Sequence, residues 1–237
     1  VYYDWQVVNK KAEDHLDVLL GVMPKKTVDP YLSVLKKAGL KPLVFEIEPV
    51  ATARALIKNS CSDNPLIIVD LGAKRTSLFI FYGQAIYFTI ELPVNSSMIV
   101  DALSQNLNIS QDKALQIKMK VGLNMTHPRS RVYKEIQPLL LTLVEKIKAY
   151  IVFYNEHLRS VHGDNKDIER IILCGGGALM KELPEFLSGE LSLSVEIGNP
   201  WVNINDNSNE KNLNFPQKEA LSFTTVFGLA IQNSAEQ

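Results

Sequence analysis

An α/β fold is predicted for this chain because strand-length and helix-length apolar patterns alternate along it. Residues 66–92 hold three apolar runs of strand length, Leu66–Asp70, Leu78–Phe81 and Ala85–Leu92, separated by polar, glycine-containing turns. Val132 to Tyr154 then keeps one apolar face at helical spacing. Ile171–Cys174 returns to a buried strand that runs straight into Gly175-Gly176-Gly177. Strands followed by helices and a further strand, in a chain of 237 residues that is 46% apolar, describe packed layers rather than a disordered polymer.

From the first residue, Val1 to Val8 reads as a strand with no initiator Met before it, so the sequence is expected to begin inside a domain. Leu16–Val22 makes a second strand. A helix with Val28, Leu32, Leu35 and Ala38 at helical spacing follows, with Thr27 as N-cap and Gly39 as C-cap, and Leu43–Ile47 is a third strand. Residues 1–48 thus form a small ββαβ unit, which Pro49 and a helix over Val50–Lys58 lead out of. The hairpin over 66–81 and the strand Ala85–Leu92 belong to a second unit, 49–94. Two helices, Ser97–Leu107 and Gln111–Lys120, the latter capped by Ser110, open a helical insertion over 95–165. The long helix runs from about Val132 to His157, kinked near Pro138. Residues 166–237 complete the second unit through the strand Arg170–Cys174, a helix Leu179–Leu187, a short strand at Val195, an Asn-rich loop Asn203–Asn214 and a last helix Ala220–Gln232.

Charge and cysteine content exclude several functions. Lys plus Arg total 25 against 26 for Asp plus Glu, with no basic stripe, so nucleic acid is not an expected partner. Cys61 and Cys174 form no C-x-x-C pair, which argues against a metal knuckle or a disulfide framework. No run approaches the roughly 20 apolar residues of a bilayer span, so direct membrane insertion is not expected and any membrane contact goes through a partner. His157 and His162, five apart, lack the i, i+4 spacing of a zinc pair, and no G-x-S-x-G elbow supports hydrolase chemistry. Trp5 and Trp201 read equally as interface anchors or as core.

Two motifs carry the chemistry. In Asp70-x-Gly72-x-x-x-Thr76 a carboxylate stands at a strand end, where it can hold a metal ion through water. Gly72 lets backbone N–H groups approach a phosphate, Thr76 offers a hydroxyl, and Lys74 and Arg75 flank the turn. In isolation, the same residues also suit an ordinary turn. The second motif is the strand that enters Gly175-Gly176-Gly177 and then a helix. Three glycines at one junction need close backbone approach, either by a ligand or by another segment of the chain. Met180 stands where G-x-G-x-x-G requires its last glycine, and Gly21–Thr27 has Pro24 inside it and no glycine before its lysines, so neither a Rossmann nor a P-loop site is read.

The succession of hairpin, helical insertion, strand with three glycines and closing helix resembles the second half of actin-like ATPases, the superfamily of actin, the chaperone ATPases, sugar kinases and FtsA. Within it the chain is most similar to the PilM family of type IV pilus assembly proteins. That resemblance rests on Val18–Lys25, Leu32–Pro42, Glu46-Ile47-Glu48-Pro49, the two motifs and Gly198-Asn199-Pro200-Trp201. It implies a ribonuclease H-like fold with a complete second lobe and residues 1–48 as a remnant of the first. It implies ATP and Mg as ligands, with Asp70, Gly72, Ala73, Lys74 and Thr76 at the phosphates, Asp70 holding Mg through water, and Lys118 and Gly175, Gly176 and Gly177 at the adenosine. It also implies a cytoplasmic adaptor at the inner membrane that holds the cytoplasmic tail of a PilN-like membrane protein and meets other pilus assembly proteins.

Three departures from the family pattern stand out. The first phosphate motif would lie upstream of Val1. Asn95-Ser96 replaces the usual Gly-Gly pair, and Leu115 stands where an acid would precede Lys118. No residue is identified to position an attacking water, so weakened nucleotide binding, without hydrolysis, is expected. The alternatives are an FtsA-like division protein, expected to end in an amphipathic membrane helix that residues 233–237 do not provide, and a hydrolysing or phosphotransferring enzyme of the same fold.

Overall fold

The computed structural model describes residues 1–9, 16–159, 166–204 and 216–232. Five strands form the central sheet: β3 (Ser62–Leu71), β4 (Thr76–Gly83), β5 (Ala85–Leu92), β6 (Arg170–Cys174) and β7 (Ser194–Ile197). They lie in the order β5-β4-β3-β6-β7. β3 pairs antiparallel with β4 and parallel with β6, so the sheet changes sense at its central strand.

Apolar runs appear in β3 and β4 because both faces are covered and alternate side chains enter two separate cores. Ile67, Val69, Leu71, Leu78 and Ile80 pack on one face with α3 (Ser96–Leu107), α5 (Arg131–Phe153) and α6 (Leu183–Leu191). Leu66, Ile68, Phe79 and Phe81 face the other way, against α2 (Glu48–Leu56) and Leu221. α4 (Gln111–Lys120) packs on α3 and adds Ala114 to the first core. The asparagine and serine caps are in place: Asn95, Ser110 and Ser130 accept from the third amide beyond them at the starts of α3, α4 and α5.

Several boundaries differ from the sequence expectation. Leu43–Ile47 is not a strand, because no neighbouring strand satisfies its backbone. The segment is held by Glu46, whose carboxylate takes both guanidinium nitrogens of Arg54. Residues 1–48 are therefore a hairpin, β1 (Tyr2–Asn9) with β2 (Asp17–Met23), plus α1 (Lys25–Lys37) and an extended segment. α1 starts at Lys25 without a side-chain cap, so Thr27 is not its N-cap, and Ala38 rather than Gly39 is the C-cap. Gly39 follows that cap, with Leu40 N–H on Leu35 O and Gly39 N–H on Lys36 O closing the helix. The expected helix Leu179–Leu187 divides into a tight turn, Gly176–Leu179, and α6, because Met180 is extended and Glu182 has a left-handed φ of 65°. The final helix divides likewise into α7 (Gln217–Ala220), a 3₁₀ turn over Leu221–Phe223 and α8 (Thr224–Ala230). The long helix gives way to a π turn at Tyr154–Leu158. His162 and most of the Asn-rich loop, residues 205–214, lie outside the described residues. Asn203 is instead a bridge: its amide nitrogen donates to the carbonyls of Arg54 and Ile57, which closes the C-terminal end of α2.

α2 and α8 cross closely at Gly228, where any Cβ would overlap the Ala51 carbonyl. Arg54 adds a bond to Gly228 O at 3.1 Å, and Thr52 shares a hydroxyl contact with Thr225 at 3.0 Å. Backbone cannot yield there as a flexible side chain could. Gly228→Ala is therefore expected to cost about 3 kcal/mol and to lower the melting temperature by about 6–12 °C, read by thermal denaturation.

Candidate functional site

The two motifs meet at the carboxyl ends of β3 and β6. Asp70 pairs with Cys174 across the parallel ladder, which places the first glycine of the triplet beside the Asp70 carboxylate. Gly175 has a φ of +78°, and a Cβ on it would overlap Asp70 Oδ1. Space beside Gly176 and Gly177 is also filled by protein, Ser222 and Leu71 respectively. The close approach that the glycines permit is thus between segments of this chain, and it brings β6 and the following turn against Asp70.

Half-buried, Asp70 loses hydration, and this loss pushes its carboxyl up to about 6; the charge of Glu48 raises it further, while Arg75 acts in the opposite direction. Glu48 is also in loose contact with Arg75, 3.5 Å between Nη2 and Oε2. Neither Glu48 nor this pairing was visible as a site feature in the sequence, where Glu48-Pro49 served only as a landmark. Cys174, fully buried beside Asp70, has its thiol held well above the ordinary range by the same lack of solvent.

Between β3 and β4 the turn carries Gly72, Ala73, Lys74 and Arg75. Its carbonyls face α3: Ser96 N–H donates to Gly72 O at 3.0 Å, Ser97 N–H to Ala73 O at 2.9 Å, and Asn95 Nδ2 to Lys74 O at 3.1 Å. Lys118, from α4, is buried behind this junction and donates to the Ser96 hydroxyl. No carboxylate pairs with Lys118 among the described residues, and burial holds its ammonium below the ordinary lysine range. The structure thus brings Gly72, Ala73, Lys74 and Lys118 to one helix end and Asp70 with Gly175 to the adjoining strand ends.

A Mg-nucleotide is the group implied for such a site, and the donor set fits one. Among the described residues the buried Thr76 hydroxyl has no partner, the N–H groups of Ala73, Lys74 and Arg75 have no acceptor, and the buried Lys118 has no counter-charge. Among the described residues no cluster of three or more His, Cys, Asp or Glu offers direct metal ligation. A cation held here through water would have the Asp70 carboxylate as the protein oxygen nearest to it. His157 stacks on Phe153 with Nδ1 3.2 Å from the Phe153 carbonyl, a local helix-end contact.

The raised Asp70 pKa has a stability consequence of definite sign. Between about pH 4 and 6 the folded chain holds a proton that the unfolded chain has released, so stability falls as pH rises through that window. Asp70→Asn removes the cost of the buried charge. Thermal unfolding at pH 7.5 is expected to show a gain of about 2 kcal/mol that vanishes near pH 4. An unchanged profile would contradict the burial of this carboxylate.

Known proteins share the sequence and fold of this chain in part. The chain is similar to the cell division protein FtsA of Neisseria meningitidis serogroup B (strain ATCC BAA-335 / MC58), 22% identical over 183 residues, which is 70% of this chain and 44% of that protein. It is similar in structure to a PilM–PilN type IV pilus biogenesis complex, with a TM-score of 0.77 and 23% identity over 98% of this chain and 66% of the other. MreB5 of Spiroplasma citri bound to ADP gives a TM-score of 0.64 and 18% identity over 90% of this chain and 67% of the other. The fold is therefore that of the actin-like ATPases, and the chain spans less than the full length of each relative. A family model for type IV pilus assembly protein PilM matches residues 1–234, and the chain belongs to that family.

Proposed function

We propose that this chain is part of a cytoplasmic scaffold of the type IV pilus machine, peripheral to the inner membrane, that holds the cytoplasmic tail of a PilN-like membrane protein. The feature that carries the partner reading is a cleft of about 740 Å³ between the β1–β2 hairpin, α1 and the extended segment 43–47. Tyr2, Trp5, Met23, Leu32 and Val44 line it with apolar surface, and Glu46 and Arg54 add charge at its floor. Such a wall of large apolar side chains with a few polar groups suits an extended peptide whose side chains alternate. No helix among the described residues is long and apolar enough to cross a membrane, so a tail supplied by a membrane protein gives the chain its place.

The second part of the reading is an ATP site. Asp70, Gly72, Ala73, Lys74 and Thr76 are the phosphate side, Asp70 holds Mg through water, and Lys118 with Gly175, Gly176 and Gly177 borders the adenosine. Bound nucleotide is proposed to order the lobe. The pilus reading is preferred to the division-protein alternative because the family model runs through residues 1–234.

Two titrations test these parts separately. A peptide carrying the cytoplasmic tail of the organism's own PilN-like protein is expected to shift Trp5 fluorescence saturably, and Val44→Asp to weaken binding about tenfold or more. No binding by the folded chain would overturn the partner reading. Calorimetry with Mg-ATP is expected to show affinity that Lys118→Met weakens several-fold while raising the melting temperature by a few degrees, because the variant no longer buries an unpaired ammonium. Loss of stability without loss of affinity would remove Lys118 from the site.

A further inference from the structure

The turn between β3 and β4 is oriented from behind. All three of its successive carbonyls, Gly72, Ala73 and Lys74, are taken by the start of α3, two by the Ser96 and Ser97 amides and the third by the Asn95 side chain. In a trans peptide the carbonyl and the following N–H point to opposite sides, and the described chain has no cis peptide. The N–H groups of Ala73, Lys74 and Arg75 therefore face away from α3. Those residues are exposed, and the three amides have no acceptor among the described residues. Three consecutive outward N–H groups make a concavity suited to an oxyanion, with Lys74 and Arg75 adding charge.

Asn95 uses both ends of its carboxamide in this arrangement. Oδ1 accepts from Met98 N–H at 3.1 Å, which caps α3, and Nδ2 donates to Lys74 O, which fixes the peptide plane joining Lys74 to Arg75. The Met98 amide requires the oxygen on its side, so the nitrogen necessarily faces the turn. Backbone alone supplies only two of the three grips. The side chain at 95 supplies the last one, where a glycine would supply none.

We infer that Asn95 is a positioning residue for the phosphate-binding turn, acting through the Lys74–Arg75 peptide to aim the Arg75 amide at an oxyanion. This rests on the nucleotide-site reading above. Asn95 touches no ligand in this role. It replaces, by a side-chain bond, the rigidity that the turn needs to hold three amides in one direction, and so it sets the affinity for the phosphate chain rather than the identity of the base.

The test separates the cap from the grip. Asn95→Ser and Asn95→Asp both keep an oxygen for the Met98 amide but lose the donor to Lys74 O, and Ser does so without adding charge. Backbone amide NMR of each protein would be followed during titration with inorganic pyrophosphate and Mg²⁺. The native chain is expected to show saturable shifts at Ala73, Lys74 and Arg75. Both variants should melt within about 2 °C of it, yet bind about five- to tenfold more weakly, with the Arg75 amide losing most of its response. Equal affinity and unchanged Arg75 shifts in Asn95→Ser would overturn the role of Asn95 while leaving the site intact. Absence of any shift at the three amides of the native chain would overturn the site reading and the inference together.

Discussion

The parallel pairing of β3 with β6 is the constraint on which the rest of the site depends. It sets Asp70 beside Cys174 and forces the chain to leave β6 directly against a carboxylate. Only a residue without a side chain, at positive φ, passes that point, and Gly175 does. The consequence is chemical as well as steric. A carboxylate that loses hydration beside the Gly175 backbone and feels the negative charge of Glu48 is costly to ionise, and a pKa raised to about 6 follows from that cost. An amide at this position would avoid that cost, so the carboxylate is kept at the expense of stability.

A second cost of the same kind lies across the turn. Lys118 is buried with a serine hydroxyl as its partner, where a structural lysine would find a carboxylate or reach water. Asp70 and Lys118 are thus two buried ionisable groups of opposite sign that are not paired with each other. Each is destabilising by itself, and the proposed nucleotide site would give each a use. Unspent donors at Ala73, Lys74 and Arg75 belong to the same pattern. Strain and unpaired charge of this sort concentrate where a ligand completes the structure.

Much of the fold was legible because central strands and long helices write strong periods. β3 through β6 and α3 through α5 were placed within a few residues, since both faces of β3 and β4 are buried and Asn95, Ser110 and Ser130 are effective caps. Other elements were illegible because their state depends on partners far along the chain. Leu43–Ile47 is a short apolar run of strand length, yet a strand exists only beside another, and here Arg54 holds the segment instead. Met180 and Glu182 break a helix that propensity alone would continue. At the site, Asp70, Gly72 and Thr76 could be picked out because their spacing is local. Asn95 and Glu48 could not, because what matters in each is a contact across 21 or 27 residues of sequence with the turn.

Asp70 is a half-buried carboxylate whose raised pKa a bound Mg-nucleotide would lower, and the most direct measurement is its own titration. Carbon-detected NMR of the Asp70 carboxyl should give a midpoint near 6 in the free chain, falling toward the ordinary carboxylate range near 4 when Mg-ADP is added. A midpoint near 4 in the free chain, or one near 6 that Mg-ADP leaves unmoved, would contradict the account.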